Sequence, residues 1–430
     1  MEPKIRVENL VMMFGKNPRK QALPLLQQGA SKEDILAQTG HIVGVADVSF
    51  TVQAGEIFVV MGLSGSGKST LIRCINRLIE PTSGHIYIDG QDILQANKQR
   101  LRQIRRTQMA MVFQHFALLP HKTVWENVAY GLKIRGIDTE QQRVAAMEAL
   151  DMVGLRPWAD RRPDNLSGGM KQRVGLARAL AMDADILLMD EAFSALDPLI
   201  RRQMQNELLQ LQEKLQKTVL FITHDLNEAL RVGNHVAIMK DGYIVQIGNP
   251  VEIITRPAND YVAAFMQDVD QSRVLTAEVV MKPAETLMLG RDAIATAVKR
   301  IKAKDDASAF YVIDGQQKVK GLLHKHDILR VAKSGSEDLT PYINQDFRST
   351  SHSAALTELY ALVSDGLPVA VTDAAGRLMG VVQASDVLSS LATVAEISES
   401  VDMQAVTGTS MGNGADNNPS TAIEETVQVT

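Results

Sequence analysis

The sequence predicts an α/β layered domain followed by a smaller α+β module built from two similar copies. Three observations predict this. Short apolar stretches such as "GEIFVVMG", "DILLMDEA" and "TVLFITHDL" alternate with helical periodicity over about the first 270 residues, the pattern of a parallel sheet buried under helices. A glycine-rich loop, "GLSGSGKST", lies where one of these strands ends and a helix begins. Finally, "YVIDGQQKVKGLLHKHDIL" (311–329) aligns without gaps on "AVTDAAGRLMGVVQASDVL" (370–388).

Taken in order, residues 4–15 read as a strand and turn. Residues 17–42 read as an insertion, within which Ser31 and Asp34 have helix-starting spacing. "VADVSFTV" and "GEIFVVMG" read as strands, the second ending at Gly62, and "STLIRCINRLI" as a helix. Residues 97–106, "NKQRLRQIRR", form a basic, polar stretch. Residues from about 116 to 183 are largely helical, and two buried strands follow. The first domain is placed at 1–272, with the insertion at 17–42. In the repeat, Asp314 matches Asp373, Gly321 matches Gly380 and Asp327 matches Asp386. Each copy, at 273–335 and 336–395, reads strand, turn, strand, helix, and the two are expected to complete one core. The tail at 396–430 has six acidic residues and no Lys or Arg, so disorder is expected there.

Composition narrows the function classes. The chain has 430 residues, enough for two or three domains. A net charge of -5 and 4% aromatic residues argue against a nucleic-acid partner and base-stacking platforms. Cys74 is the one cysteine, so no disulfide framework or thiolate metal cluster can form within the chain, as expected in a reducing, cytosolic compartment. "MEPKIRVENL" does not read as a signal peptide, and no apolar run approaches the ~18 residues of a membrane span. Any work at a membrane is expected to go through a partner.

"GLSGSGKS" fits G-x-x-x-x-G-K-[ST], with Gly62, Gly67, Lys68 and Ser69. Glycines let backbone N–H groups converge on phosphate oxygens, and the following helix adds its dipole. Lys68 is expected to reach the β- and γ-phosphates and Ser69 to ligate Mg²⁺. The strand–loop–helix context disfavours the plain reading of a glycine turn. In "DILLMDE", Asp190 at the strand's carboxyl end is expected to hold Mg²⁺, and Glu191 to polarise a water for attack on the γ-phosphate. "LSGGMKQRV" offers Ser167, Gly168 and Gly169 either as an anion nest or as a simple helix cap. Gln114, Asp197 and His224 carry no message singly.

In this order the set resembles the ATP-binding cassette ATPase family over roughly residues 4–250. The resemblance implies a P-loop cassette, with a parallel-sheet core and a helical subdomain, that binds ATP and Mg²⁺. It also implies a head-to-tail homodimer in which Ser167, Gly168 and Gly169 serve the partner's nucleotide. The loop residues Gly62, Ser64, Gly65, Ser66, Gly67, Lys68, Ser69 and Thr70 then hold the phosphates. Gln114 touches Mg²⁺ or the attacking water and reports to a membrane subunit. The same resemblance implies Glu191 as the general base, His224 as the residue that holds the γ-phosphate and orients the water, and Asp197 as the coupling between the two sites. Phe14 matches the position that stacks on adenine, its plain alternative being a core phenylalanine.

"FQHFALLPHKTVWENV" resembles importers, in a segment that faces a permease. The repeat's G-h-h-x-x-x-D core, with h apolar, resembles a tandem pair of CBS domains. A cassette with an early insertion and a CBS pair resembles the ATP-binding subunits of compatible-solute uptake systems for glycine betaine, proline betaine or proline. That implies transmembrane permease subunits, an extracytoplasmic solute-binding protein that selects the solute, and a place on the cytoplasmic face of the inner membrane. The alternatives are another quaternary amine such as choline or carnitine, a soluble cassette ATPase acting on nucleic acid, and a non-catalytic sensor. In the CBS-like copies His324 and Gln383 stand where a hydroxyl is usual for nucleotide binding. This weakens AMP binding but leaves room for a cyclic dinucleotide. Basic runs at 299–306 and 318–327 suggest anionic lipid instead, with transport locked off at low ionic strength.

Overall fold

The computed structural model describes residues 2–114, 116–194, 196–267, 272, 274–288, 297–299, 309–334, 340–364 and 367–389. The expectations for the acidic tail, for the basic run after Lys299 and for the cuts at 273 and 335–336 lie outside the described residues.

Strand β1 (Ile5–Phe14) leads into the insertion, which folds as three short helices: α1 (Pro18–Gln21), α2 (Leu23–Gln27) and α3 (Lys32–Thr39). Ser31 caps α3, its hydroxyl accepting from the Asp34 N–H at 3.0 Å, as the spacing predicts. β2 (Ile42–Val52) returns antiparallel to β1, pairing Phe14 with Ile42. The insertion buries Ala22, Leu26 and Ile35 against Val11, Met13, Val43 and Ala46. It is therefore an integral lobe with its own small core, not a loose loop.

The chain continues through β3 (Ile57–Met61), α4 (Lys68–Ile75), β4 (Ser83–Ile88) and β5 (Gln91–Asp92). Next come α5 (Lys98–Thr107), β6 (Met109–Val112), α6 (Val124–Val128), α7 (Tyr130–Arg135), α8 (Thr139–Met152) and α9 (Gly168–Ala181). The basic stretch at 97–106 proves to be a helix. The Asn97 side chain caps it at the Arg100 N–H, and Ile104 anchors it in the core. After α9 follow β7 (Ile186–Asp190), α10 (Pro198–Leu215), β8 (Thr218–Thr223), α11 (Leu226–Val232), β9 (His235–Lys240), β10 (Tyr243–Gly248), α12 (Pro250–Thr255) and α13 (Asp260–Met266).

Two sheets organise this domain. One is antiparallel, in the order β2-β1-β4-β5; the other runs β10-β9-β3-β8-β7-β6. The second is parallel from β9 to β6, with β10 added antiparallel. All residues of β3, β7 and β8 are buried, which is why they read as unbroken apolar runs. A core of Ile5, Val7, Phe50, Phe58, Val60 and Leu71 joins the two sheets, with the Phe50 and Phe58 rings stacked at 5.0 Å. The helices from α6 to α9 fill the connection between β6 and β7. Among the described residues no helix is long and apolar enough to cross a membrane.

Beyond α14 (Ala277–Val280), each repeat copy forms a three-stranded sheet. These are β11 (Thr286–Met288), β12 (Ala309–Ile313) and β13 (Val319–His324), then β14 (Ser349–Ser351), β15 (Val369–Thr372) and β16 (Leu378–Val382). Tyr311 and Leu322 of one copy pack with Ala370 and Val381 of the other, the shared core the repeat predicts. A further feature is not legible in the alignment. Each copy's leading segment crosses to the other: Lys282 bridges Val381, and Asn344 bridges Leu322. That explains the matched glycines. A Cβ on Gly321 would come within 2.6 Å of the Asn344 carbonyl, and one on Gly380 within 2.8 Å of the Lys282 carbonyl. The matched Asp314 and Asp373 each close a turn, accepting from the N–H groups of Gln316 and Lys318, and of Ala375 and Arg377.

Candidate functional site

Three neighbouring strands, β3, β8 and β7, and the edge strand β6 end on one side of the sheet. From their carboxyl ends come the glycine-rich loop, His224, the Asp190–Glu191 pair and Gln114. Ligands of open α/β sheets bind at this edge.

The loop is shaped by close backbone approach. Gly67 has φ +103°, and a Cβ there would collide with the Gly44 carbonyl. Lys68 is buried, and its Nζ donates to the carbonyls of Gly62 at 2.7 Å and Leu63 at 2.9 Å. Burial pushes its pKa down, while Glu191 and Asp190 pull it up. Ser66 Oγ is buried without a hydrogen-bond partner among the described residues. An orphaned hydroxyl, an ammonium held on loop carbonyls and a Cβ-free curve fit a polyphosphate. Ser64, Gly65 and Thr70 lie on the same loop and the first turn of α4.

Ser69 Oγ donates to Asp190 Oδ1 at 3.0 Å. Asp190 is itself buried, and burial pushes its pKa up; the Ser69 hydrogen bond and Arg73 oppose the shift. A hydroxyl beside a carboxylate is the hard-oxygen donor set that suits Mg²⁺. Glu191 takes a left-handed backbone, φ +46°, a sharp turn of the kind found at active sites. Its Oε2 accepts from Gln114 Nε2 at 3.0 Å and lies 3.3 Å from His224 Nδ1. The structure therefore brings together Lys68, Ser69, Gln114, Asp190, Glu191 and His224.

Phe14 ends β1 with 40% of its surface exposed, so it is not a core phenylalanine. Its ring lies over Gly44, where a Cβ would meet Phe14 Cε2 at 3.0 Å and Thr70 Cγ2 at 3.1 Å. Ser167, Gly168 and Gly169 stand apart from the loop. Ser167 caps α9, accepting from the Met170 N–H at 3.3 Å, and no hydrogen bond among the described residues ties these three to the glycine-rich loop. Asp197 caps α10 at the Ile200 N–H, and Gly169 faces Ile200. The start of α9 thus abuts the start of α10.

Sequence reasoning missed the struts behind these loops. Arg201 donates to Asp225 Oδ2 at 2.9 Å and to the Leu196 carbonyl at 3.1 Å, tying the loop after β7 to the loop after β8. Glu228 is buried and accepts from Thr223 Oγ1 and, at 3.0 Å, from Gln205 Nε2. The Asp225-x-x-Glu228 spacing fits a helix cap, the Glu228 N–H donating to Asp225 Oδ1 at 3.1 Å, but the burial of Glu228 is not legible in it. Burial holds the Glu228 carboxyl above the usual glutamate value of 4.5, against those hydrogen bonds. A carboxyl raised in the folded chain contributes stability below its unfolded pKa and loses it as pH rises through the folded one. Glu228→Gln is therefore expected to flatten the decline of Tm above about pH 4.5. Melting curves at pH 5 and pH 8 check this; an unchanged slope counts against it.

Parallel strands feeding a phosphate-binding loop and an acidic pair define a P-loop ATPase. The pattern described as ABC transporter matches residues 45–194. Over 392 residues the chain is 49% identical to the glycine betaine transport ATP-binding protein OpuAA of Bacillus subtilis, covering 90% of this chain and 92% of that one. Over 395 residues it is 45% identical to the glycine betaine/proline betaine transport system ATP-binding protein ProV of Salmonella typhimurium, covering 91% and 98%. A solved structure of cbiO1 from Clostridium perfringens, part of an ABC transporter complex, shares the fold with a TM-score of 0.50 at 23% identity. That match covers 62% of this chain and 96% of the other. The chain belongs to the ABC transporter family, as an ATP-hydrolysing cassette subunit.

Proposed function

We propose that this chain drives import of glycine betaine or proline betaine, with proline as a further candidate. What supports the substrate class is that its similarity to betaine-transport relatives runs through the second module as well as the cassette, over 90% of the chain for one of them. No residue here is assigned to the solute; a transmembrane permease and an extracytoplasmic binding protein would select it. The chain then sits on the cytoplasmic face of the membrane through its permease.

In the proposed cycle the glycine-rich loop and Lys68 hold the ATP triphosphate. Ser69, Asp190 and Gln114 would hold Mg²⁺, which when bound neutralises phosphate charge. Glu191 accepts a proton from the attacking water, His224 orients the γ-phosphate, and Gln114 links the site to the permease. Ser167, Gly168 and Gly169 close on the nucleotide of a second copy, with Asp197 at the seam. ATP thereby joins two copies, and its hydrolysis parts them. The second module is the place of control, with an anionic lipid surface or a cyclic dinucleotide as the effector.

The test is labelled glycine betaine uptake at low and high external salt, in cells lacking this chain and in cells given it back. Restored, salt-stimulated uptake is expected. Sound ATPase activity without betaine movement would overturn the substrate class and leave the cassette reading intact.

A further inference from the structure

None of the residues assigned to the phosphate site comes from the insertion between β1 and β2, which starts a short turn after Phe14. Its last residue before β2, His41, is 2% exposed. The His41 ring packs against Gly15, whose φ is +145° and where a Cβ would collide with the imidazole. His41 Nε2 donates to the Lys16 carbonyl at 3.0 Å, and its N–H donates to Thr39 Oγ1 at 3.3 Å. Thr39 Oγ1 in turn donates to the Ile35 carbonyl at 2.6 Å, and Ile35 is fully buried in the insertion's core. A continuous path thus runs from that core through Thr39 and His41 to Lys16, in the turn that follows Phe14. The Phe14 ring is exposed and lies over Gly44, close to Thr70 in the first turn of α4.

We propose that the insertion is a buttress for the adenine platform and that His41 is its positioning residue. The inference rests on the reading of Phe14 as the aromatic that stacks on adenine. A phenylalanine 40% exposed at a strand end can exchange side-chain rotamers. A platform that is ordered before the base arrives loses less freedom on binding. Gly15 and His41 form a fitted pair in this scheme: the missing Cβ makes room for the ring, and the ring fixes the Lys16 carbonyl.

The test is equilibrium binding of ATP and of inorganic tripolyphosphate to the full chain carrying Phe14→Ala, His41→Ala or both. Base stacking on an aromatic side chain corresponds to roughly a 5- to 150-fold change in affinity. Phe14→Ala and His41→Ala are each expected to weaken ATP by about tenfold while leaving tripolyphosphate unchanged, and the double variant to match the single ones. Equal loss of both ligands in His41→Ala, or additive losses in the double variant, would make His41 merely structural and overturn the proposal. Weakening by Phe14→Ala but not by His41→Ala removes the buttress and keeps the platform. No effect of Phe14→Ala removes both. Should His41→Ala fail to fold, Thr39→Val is expected to give a smaller loss confined to ATP; no loss, or loss of both ligands, overturns the proposal by that route.

Discussion

Glu191→Gln is expected to lower ATP hydrolysis by about 10²–10⁴-fold, the usual contribution of a positioned general base, while ATP still binds. The substitution is nearly isosteric. A glutamine carbonyl oxygen can still accept from Gln114 Nε2, which now donates to Glu191 Oε2 at 3.0 Å. The left-handed backbone at residue 191 is set by the strand-end turn and by the N–H bond to the Ile222 carbonyl at 2.9 Å, neither of which involves the side chain. Removing the charge also relieves Asp190, whose carboxyl Glu191 pushes upward. Stability should therefore hold while proton acceptance is lost. ATP that binds without being hydrolysed should leave the chain trapped as a dimer, read by size-exclusion chromatography in MgATP. Undiminished turnover would take the role of base from Glu191. Lost turnover with lost ATP affinity would make it a binding residue instead.

The legible part of this protein was what period and local motif encode. β3, β7 and β8 are buried throughout, so their sequences are largely apolar runs, and local motifs mark the loops at their ends. The repeat announced a shared core, and Tyr311 and Ala370 meet in it. What stayed hidden depends on contacts between distant segments. α5 presents only Ile104 to the core as a buried residue, too thin a stripe to reveal a helix among so many arginines. The crossing of Lys282 and Asn344 between the two copies leaves only a pair of matched glycines in the sequence. The Arg201–Asp225 strut joins residues whose adjacency follows from the β7–β8 pairing and from nothing local. Phe14 shows the same limit. Its match to a family position implies an adenine platform, with a core ring as the alternative, and only its exposure decides against the core.

Gly168→Asp separates the two uses an S-G-G helix start can have. If the segment is only a cap for α9, the change is harmless. Gly168 is the first residue of α9, a Cβ there meets nothing within 4 Å, and a carboxylate at a helix N-terminus is favourable. Gly169 offers no such clean probe, since a Cβ there would come within 2.6 Å of Ile200 Cγ2. If instead the segment closes on a second copy's triphosphate, the new carboxylate faces like charge in a desolvated seam, which costs several kcal/mol. The expected result is an unchanged Tm, unchanged ATP affinity in the single chain and hydrolysis reduced by about a hundredfold or more. Mixing provides the discriminating step. A Gly168→Asp chain keeps a sound phosphate loop, and a Lys68→Ala chain keeps a sound α9 start. Their mixed dimer holds one intact composite site, so two inactive preparations should recover activity on combination. Full activity of Gly168→Asp alone would reduce "LSGG" to a helix cap, and an absence of recovery on mixing would place both halves of each site in one chain.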